Sequence, residues 1–266
     1  MDSFAKKKLR ELIAMPVHIA VAGKGGTGKT TFSALVIRQL LKAGKKPILA
    51  VDADANANLN EALGMEVEIS IADVIARVAN NLEPLPAGMT KNQYIEYKVS
   101  QSLVEGDDVD LLVMGGPEGQ GCYCYANNLL RQFIADLSKN YPYMVMDNEA
   151  GLEHLSRRTT QNVDILFVIS DASARSIRSA RRIKELVDNL NLNIKKLYLI
   201  VTKGTEEEVA QLKDEIERTG LELIGTIPLD PLVAEYDVAG KPLFQLPDDS
   251  PAVKAVQAIL EKAGVL

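Results

Sequence analysis

Tryptophan is absent from this 266-residue chain, and aromatic residues make up only 5% of it. Whatever core the chain builds must therefore be aliphatic. No apolar run reaches the roughly 18 residues that a membrane-spanning helix needs, so no membrane span is expected. The first fifteen residues, MDSFAKKKLRELIAM, open like a charged leader. No uninterrupted apolar stretch or small-residue cleavage site follows. They read as an N-terminal extension, residues 1–15, shaped as a short helix with a basic face, and a cytoplasmic location is expected. Positive charge is not in excess either: 30 Lys and Arg against 36 Asp and Glu leave a net charge of −6. Nucleic-acid-binding domains normally show a basic stripe, so neither nucleic acid nor membrane is an expected partner. Internal repeats, low-complexity tracts and linkers are missing, and residues 16–266 are expected to form one domain. Cysteine occurs twice, as Cys122 and Cys124, one residue apart.

What the chain has in quantity is apolar and charged residues, 47% and 25%, in alternating patterns. HIAVA (18–22), PILAVD (47–52), VDLLVM (109–114), YMVMD (143–147), ILFVIS (165–170), LYLIVT (197–202) and ELIGTI (222–227) are short, nearly continuous apolar runs. Such runs suit strands buried on both faces of a parallel sheet. Longer helical patterns separate them: 30–44, 125–140, 172–190 and 205–220. Gly44 and Gly220 stand where helix C-terminal caps are expected. Strand–helix alternation implies an α/β fold, a doubly wound, mostly parallel sheet flanked by helices. The segment from Val67 to Asp108 breaks the alternation and reads as helices and loops inserted at a sheet edge or over the ligand face.

After the first strand comes GKGGTGKTT, residues 23–31, which fits G-x-x-x-x-G-K-[ST]. Glycines let the backbone curl so that several N–H groups meet one phosphate, and the following helix adds its positive end. The cradle is Gly25, Gly26, Thr27, Gly28, Lys29, Thr30 and Thr31. Lys29 is expected to reach the β- and γ-phosphates, and the Thr30 hydroxyl to complete a Mg²⁺ site. Lys24 is a second lysine that the pattern does not require. It is either a cation for developing phosphate charge or a solvated loop residue.

Two further stretches bring carboxylates. PILAV ends in DADANANL, so Asp52 and Asp54 leave a strand's C-terminal end, where ligands of open α/β sheets bind. Beside Mg-ATP, two such groups can divide supporting the metal and orienting or deprotonating water; Asp and Asn also serve as turn and cap residues here. YMVMD ends in Asp147, the arrangement of a carboxylate that holds Mg²⁺ through water, and Gly151 follows as a hinge candidate. Glu149 and His154 lie close by, His154 reading as a helix-surface residue.

KGGTGKT resembles the deviant Walker A loop of the MinD-type ATPases. The resemblance implies ATP/ADP as the nucleotide and an ATP-sandwich homodimer in which Lys24 crosses to the partner's nucleotide. By the same resemblance Asp54 is the water-orienting residue and Asp52 lies on the magnesium side. The family places an asparagine at the base site where this chain has Thr202 and Lys203. A threonine cannot supply the paired donor and acceptor of an amide. TIPLDP, with Pro228, Leu229 and Asp230, resembles the family's adenine-packing loop.

Three explanations compete for the cysteines. A disulfide across C-x-C is cramped and does not suit a reducing compartment. Two small buried apolar residues beside Tyr123 and Tyr125 are the second. Metal binding is the third, and a closed tetrahedral site wants four thiolates. A symmetric dimer supplies four if the two segments meet on its axis. On a regular helix the two sulfurs would point about 200° apart, so the segment must be extended or irregular. AVAGKGGTGKTT, VDADANANL, GPEGQGCYCYANN and DNEAGLEHLSRRT together resemble the CooC-type nickel-insertion accessory ATPases. That resemblance covers the chain beyond about residue 15. It implies Ni²⁺ (Zn²⁺ in vitro) at Cys122 and Cys124 of both subunits. It also implies a client Ni–Fe–S enzyme, carbon monoxide dehydrogenase or acetyl-CoA synthase. The alternatives are a partitioning ATPase, using the basic run Arg175, Arg178, Arg181 and Arg182, and an iron–sulfur electron-transfer ATPase.

Overall fold

Seven apolar segments bounded by turn residues become the strands of one parallel sheet. The structure is a computed structural model and describes residues 16–80, 82, 84–115, 132–149, 162–190 and 192–266. Cys122, Cys124, Gly151, His154 and residues 1–15 lie outside the described residues. In chain order the strands are β1 (Val17–Gly23), β2 (Ile48–Ala53), β3 (Val109–Val113), β4 (Tyr143–Asn148), β5 (Asn162–Asp171), β6 (Asn193–Thr202) and β7 (Glu222–Ile227). The helices are α1 (Lys29–Lys42), α2 (Leu59–Leu63), α3 (Ile71–Ala79), α4 (Lys91–Gln101), α5 (Ala174–Asn189), α6 (Glu206–Gln211), α7 (Lys213–Glu217), α8 (Pro231–Val238) and α9 (Pro251–Ala263). The sheet order is β3-β2-β4-β1-β5-β6-β7.

Both faces of the sheet are covered, which is why its strands read as apolar runs rather than alternations. Along β1, Ala20 and Ala22 face one core with Ile71, Val74, Ile177 and Ile183. Ile19 and Val21 face the other with Phe32, Leu35, Val256 and Leu260. On that second face α1 lies against the sheet and α9, so it is buried along its length: Phe32, Leu35, Val36, Ile37 and Leu40 are at most 1% exposed. Each such side chain contributes about 1.5–3 kcal/mol on burial. Phe32 meets Phe167 of β5 edge-on, with ring centroids 5.2 Å apart. The two long polar side chains buried with α1 satisfy backbone carbonyls, as buried polar groups must. Arg38 donates to Phe244 O (3.1 Å) and Leu246 O (2.8 Å) and also meets Asp248. Gln39 donates to Val253 O (3.2 Å).

The segment at 67–108 supplies α3 and α4, which pack on the first core through Val74, Val78, Tyr94 and Val99. It docks at the β3 edge, where Val104 forms an isolated antiparallel bridge with Leu111. Two elements differ from their sequence patterns. β5 and β6 begin three or four residues before their apolar runs, because the ladder continues through residues that need no apolar side chain; Asp164 there pairs with Lys195 at 2.6 Å. The pattern at 205–220 breaks into α6 and α7. Leu212 N donates to Val209 O, a three-residue step, and Val209 and Ile216 on either side of it both reach the core. Of the pattern at 125–140, residues 132–137 are helical.

Candidate functional site

The C-terminal ends of β1, β4, β2 and β6 carry Gly23, Asp147, Asp52 and Thr202, so the predicted residues converge on one edge of the sheet. Gly23 is required by close approach: a Cβ there would stand 2.2 Å from Ile169 O of β5. Beyond it, Gly26 and Gly28 hold positive φ (77° and 89°), and at Gly25, Gly26 and Gly28 the space a Cβ would take is open. The loop is thus a cradle. No side chain caps the N-terminus of α1, and its first turn carries no acid. Its N–H groups remain available to an anion, as at other phosphate-binding helix ends.

β6 holds the back of this loop. Thr202 Oγ1 donates to Thr27 O at 2.7 Å, and the next residue's Lys203 Nζ donates to Gly26 O at 2.8 Å. Turning two successive carbonyls toward β6 helps the loop's N–H groups face the cavity. Lys203 adopts φ 59°, a left-handed conformation that costs a non-glycine residue about 1–2 kcal/mol. Its N–H bond to Ile227 O at 2.9 Å and the Gly26 bond hold it there. The hydroxyl of Thr202, expected at the base, is thus committed to the loop.

Asp52 and Asp147 are direct partners in the β2–β4 register, and both are at most 1% exposed. Thr30 Oγ1 donates to Asp147 Oδ2 at 2.6 Å. Asp147 Oδ1 is buried with no hydrogen-bond partner. Burial pushes the Asp147 carboxyl up to about 7; Asp52 adds to this, while Thr30 and Lys29 oppose it. Asp52 is raised as well, by burial first, against the backbone N–H groups of Leu59 and Asp54 that it accepts at 2.8 and 3.0 Å. Those bonds use both of its oxygens to shape the loop after β2. Asp54, half-buried, accepts from Asn56 N (3.0 Å) and Asn56 Nδ2 (3.1 Å) through Oδ1. A hydroxyl and an unsatisfied carboxylate oxygen fit Mg²⁺, which takes few protein oxygens and keeps waters, and the Lys29 ammonium beside them suits the phosphate. Among the described residues no group of three or more His, Cys, Asp or Glu side chains is arranged to hold a metal ion.

Two connected cavities flank the loop. The larger, of about 1250 Å³, is lined by Gly25, Gly26, Lys29, Thr30 and Asp54. The smaller, of about 320 Å³, has apolar walls from Phe32, Leu35, Ile227, Pro228, Leu229 and Val233, a size and lining that suit a nucleobase. Asp230 lines it too, but its carboxylate caps α8 and accepts from Ser250 Oγ and Ala252 N of α9. Lys24 is exposed and lines neither cavity. Sequence reasoning missed Asn56, although DADAN is an Asx-turn signal. Asp237 lines both cavities, and its helix carries no motif. Of the basic run on α5, Arg178 meets Glu215 at 3.5 Å and Arg181 meets Glu185 at 2.9 Å, while Arg175 and Arg182 are exposed with no ion pair among the described residues. Among the described residues no helix is long and apolar enough to cross a membrane.

Comparison with known proteins agrees with this geometry. The CobQ/CobB/MinD/ParA nucleotide binding domain family matches residues 18–243. An uncharacterized ATP-binding protein of Methanocaldococcus jannaschii is 48% identical over 246 residues, 92% of this chain and 97% of that protein. The carbon monoxide dehydrogenase accessory protein CooC of Rhodospirillum rubrum is 31% identical over 265 residues, 93% of this chain and 98% of that protein. The MinD cell division protein of Aquifex aeolicus shares the fold with a TM-score of 0.66 at 24% identity, over 94% of this chain and 96% of that one.

Proposed function

The chain belongs to the CobQ/CobB/MinD/ParA nucleotide-binding family, and from that membership we propose that it is an ATPase that handles nickel for a Ni–Fe–S enzyme. The observation that carries the ATPase reading is the Thr30–Asp147 pair behind an uncapped phosphate cradle. The loop N–H groups and Lys29 bind and orient the phosphates, with the base between Pro228, Leu229 and Phe32. Thr30 and Asp147 would hold Mg²⁺, with Asp52 supporting Asp147 from the neighbouring strand; when bound, the ion withdraws charge from phosphate oxygens. Asp54, fixed through Oδ1 by Asn56, is placed to orient the attacking water.

The nickel reading rests on the Cys122-x-Cys124 sequence and on likeness to the CooC accessory protein. Two chains joined across their nucleotides by Lys24 would bring four thiolates together around one ion. ATP then favours the paired state only through contacts it makes with both subunits. Hydrolysis removes those contacts and loosens the site, releasing the cargo to the client, carbon monoxide dehydrogenase or acetyl-CoA synthase. Elemental analysis combined with size-exclusion chromatography, with and without ATP, tests this. The expected result is one Ni²⁺ or Zn²⁺ per two chains, abolished in Cys122→Ala with ATP hydrolysis retained. Equal metal in the variant would refute the nickel reading and leave the ATPase reading intact.

A further inference from the structure

Buried polar groups in folded proteins are almost always hydrogen-bonded, so each exception asks for a reason. Two exceptions lie behind the phosphate cradle. Asp147 Oδ1, at the end of β4, has no hydrogen-bond partner among the described residues, and neither has Ser33 Oγ of α1. Ser33 is 0% exposed and Asp147 1%. A serine inside a helix commonly bonds the carbonyl four residues back. The Ser33 hydroxyl makes no such bond.

Residues three apart on a helix share a face, and α1 packs on β4. Thr30 and Ser33 are three apart. Thr30 Oγ1 donates to Asp147 Oδ2 at 2.6 Å, so Ser33, one turn further on, faces the same carboxyl. Its hydroxyl is close enough to favour the ionised form of Asp147 against burial. Ser33 lines neither cavity, so it acts on the site only through Asp147. Of the roughly four acceptor positions of a carboxylate, Thr30 takes one. A hydroxyl hydrogen rotates to suit its acceptor, which makes Ser33 a donor held in reserve.

We infer that Ser33 is a positioning residue of the Mg²⁺ site, whose hydroxyl donates to the Asp147 carboxylate in the ion-bound protein and fixes its orientation. A hydrogen bond to a charged acceptor is shorter and stronger than one between neutral groups, so this bond gains most where the carboxylate serves a cation. Without an ion the same hydroxyl is a buried donor with no bond, which destabilises the fold. Ser33 therefore weakens the empty protein and strengthens its hold on Mg²⁺. The assignment rests on the ATPase reading above and deepens it, adding to the Thr30–Asp147 pair a residue that the phosphate-loop pattern does not specify.

The test is calorimetric titration of the full-length wild type, Ser33→Ala and Ser33→Cys with ADP, in Mg²⁺ and again in EDTA, joined to thermal melts of the three proteins in EDTA without nucleotide. The quantity read is the gain in ADP affinity that Mg²⁺ brings. Ser33→Ala should keep the wild-type affinity in EDTA and lose about tenfold of that gain, the scale of one hydrogen bond to a charged group. Ser33→Cys, of similar size but a weaker donor, should fall between. In the melts Ser33→Ala should unfold no lower than wild type, because the hydroxyl it removes has no bond there. An undiminished gain in Ser33→Ala overturns the assignment. So does an equal loss of affinity in Mg²⁺ and in EDTA, which would make Ser33 a support of the loop. A lower melting temperature for Ser33→Ala in EDTA also overturns it, since the hydroxyl would then serve the fold without the ion. Wild type that binds no ADP overturns the ATPase reading itself, a result distinct from any change in the Mg²⁺-linked gain.

Discussion

Asp147 shows how one residue carries opposed demands. Its carboxyl is 1% exposed and faces Asp52, and burial first, then that neighbour, raise it to about 7. Without nucleotide or Mg²⁺ the native state therefore keeps a proton that the unfolded chain releases near 3.8. The stabilisation this brings is full below the unfolded value and is lost as pH rises through about 7. Above that, a buried carboxylate is ionised beside an acidic partner. In EDTA, Asp147→Asn should unfold at higher temperature than wild type at pH 8, by about 2 °C or more. The gap should close toward pH 5. Thermal melts across that range decide it, and parallel curves for the two proteins would contradict the burial argument. The variant should also lose Mg²⁺-dependent hydrolysis, because the oxygen that would support the ion's shell is gone.

Among elements, β6 acts less as a wall of the base cavity than as a clamp on the phosphate loop. Thr202 and Lys203 take the carbonyls of Thr27 and Gly26, and Lys203 keeps a left-handed backbone to do so. Removing the lysine's bond should leave the loop less ordered before the nucleotide arrives, a cost drawn from binding. Lys203→Met is expected to raise the KM for ATP about tenfold, with the ratio of ATP to GTP turnover unchanged. A shift in that ratio would instead make Lys203 a base-reading residue. Steady-state kinetics on both nucleotides separate the two. The β5–β6 strands, α6 and α7 make a different point at this scale. Their boundaries departed from the apolar patterns because backbone pairing continues under polar side chains such as Asp164. The helix also breaks at Leu212, where its N–H bonds three residues back to Val209 O.

At the scale of the whole molecule, the proposed pairing of two 29.0 kDa chains rests on Lys24, which is exposed. Light scattering after gel filtration with a non-hydrolysable ATP analogue should report about twice the monomer mass for wild type and the monomer mass for Lys24→Ala. A Lys24→Ala protein that dimerises like wild type would remove the sandwich arrangement from the proposal. Two of the four arginines of the α5 run are paired with acids, and Arg175 and Arg182 stay exposed.

The sequence by itself determined the architecture and the phosphate site. Apolar runs of strand length are legible because a strand buried on two faces leaves no room for polar side chains. The loop is legible because cradling a phosphate restricts residues 23–31 at fixed spacing. The two aspartates could be placed because they end strands, and strand ends of a parallel sheet share an edge. Tertiary structure alone decided what those residues do with their hydrogen bonds. Thr202 and Asp230, expected near the base, both line the smaller cavity, and there Thr202 also holds Thr27 while Asp230 also joins two helices. The placement of α8 carried no signal at all, because the residues that tie down its Asp230 cap, Ser250 and Ala252, lie 20 and 22 positions further along the chain. Motifs record contacts within a segment. Which donor meets which acceptor across the molecule is set only when the segments pack.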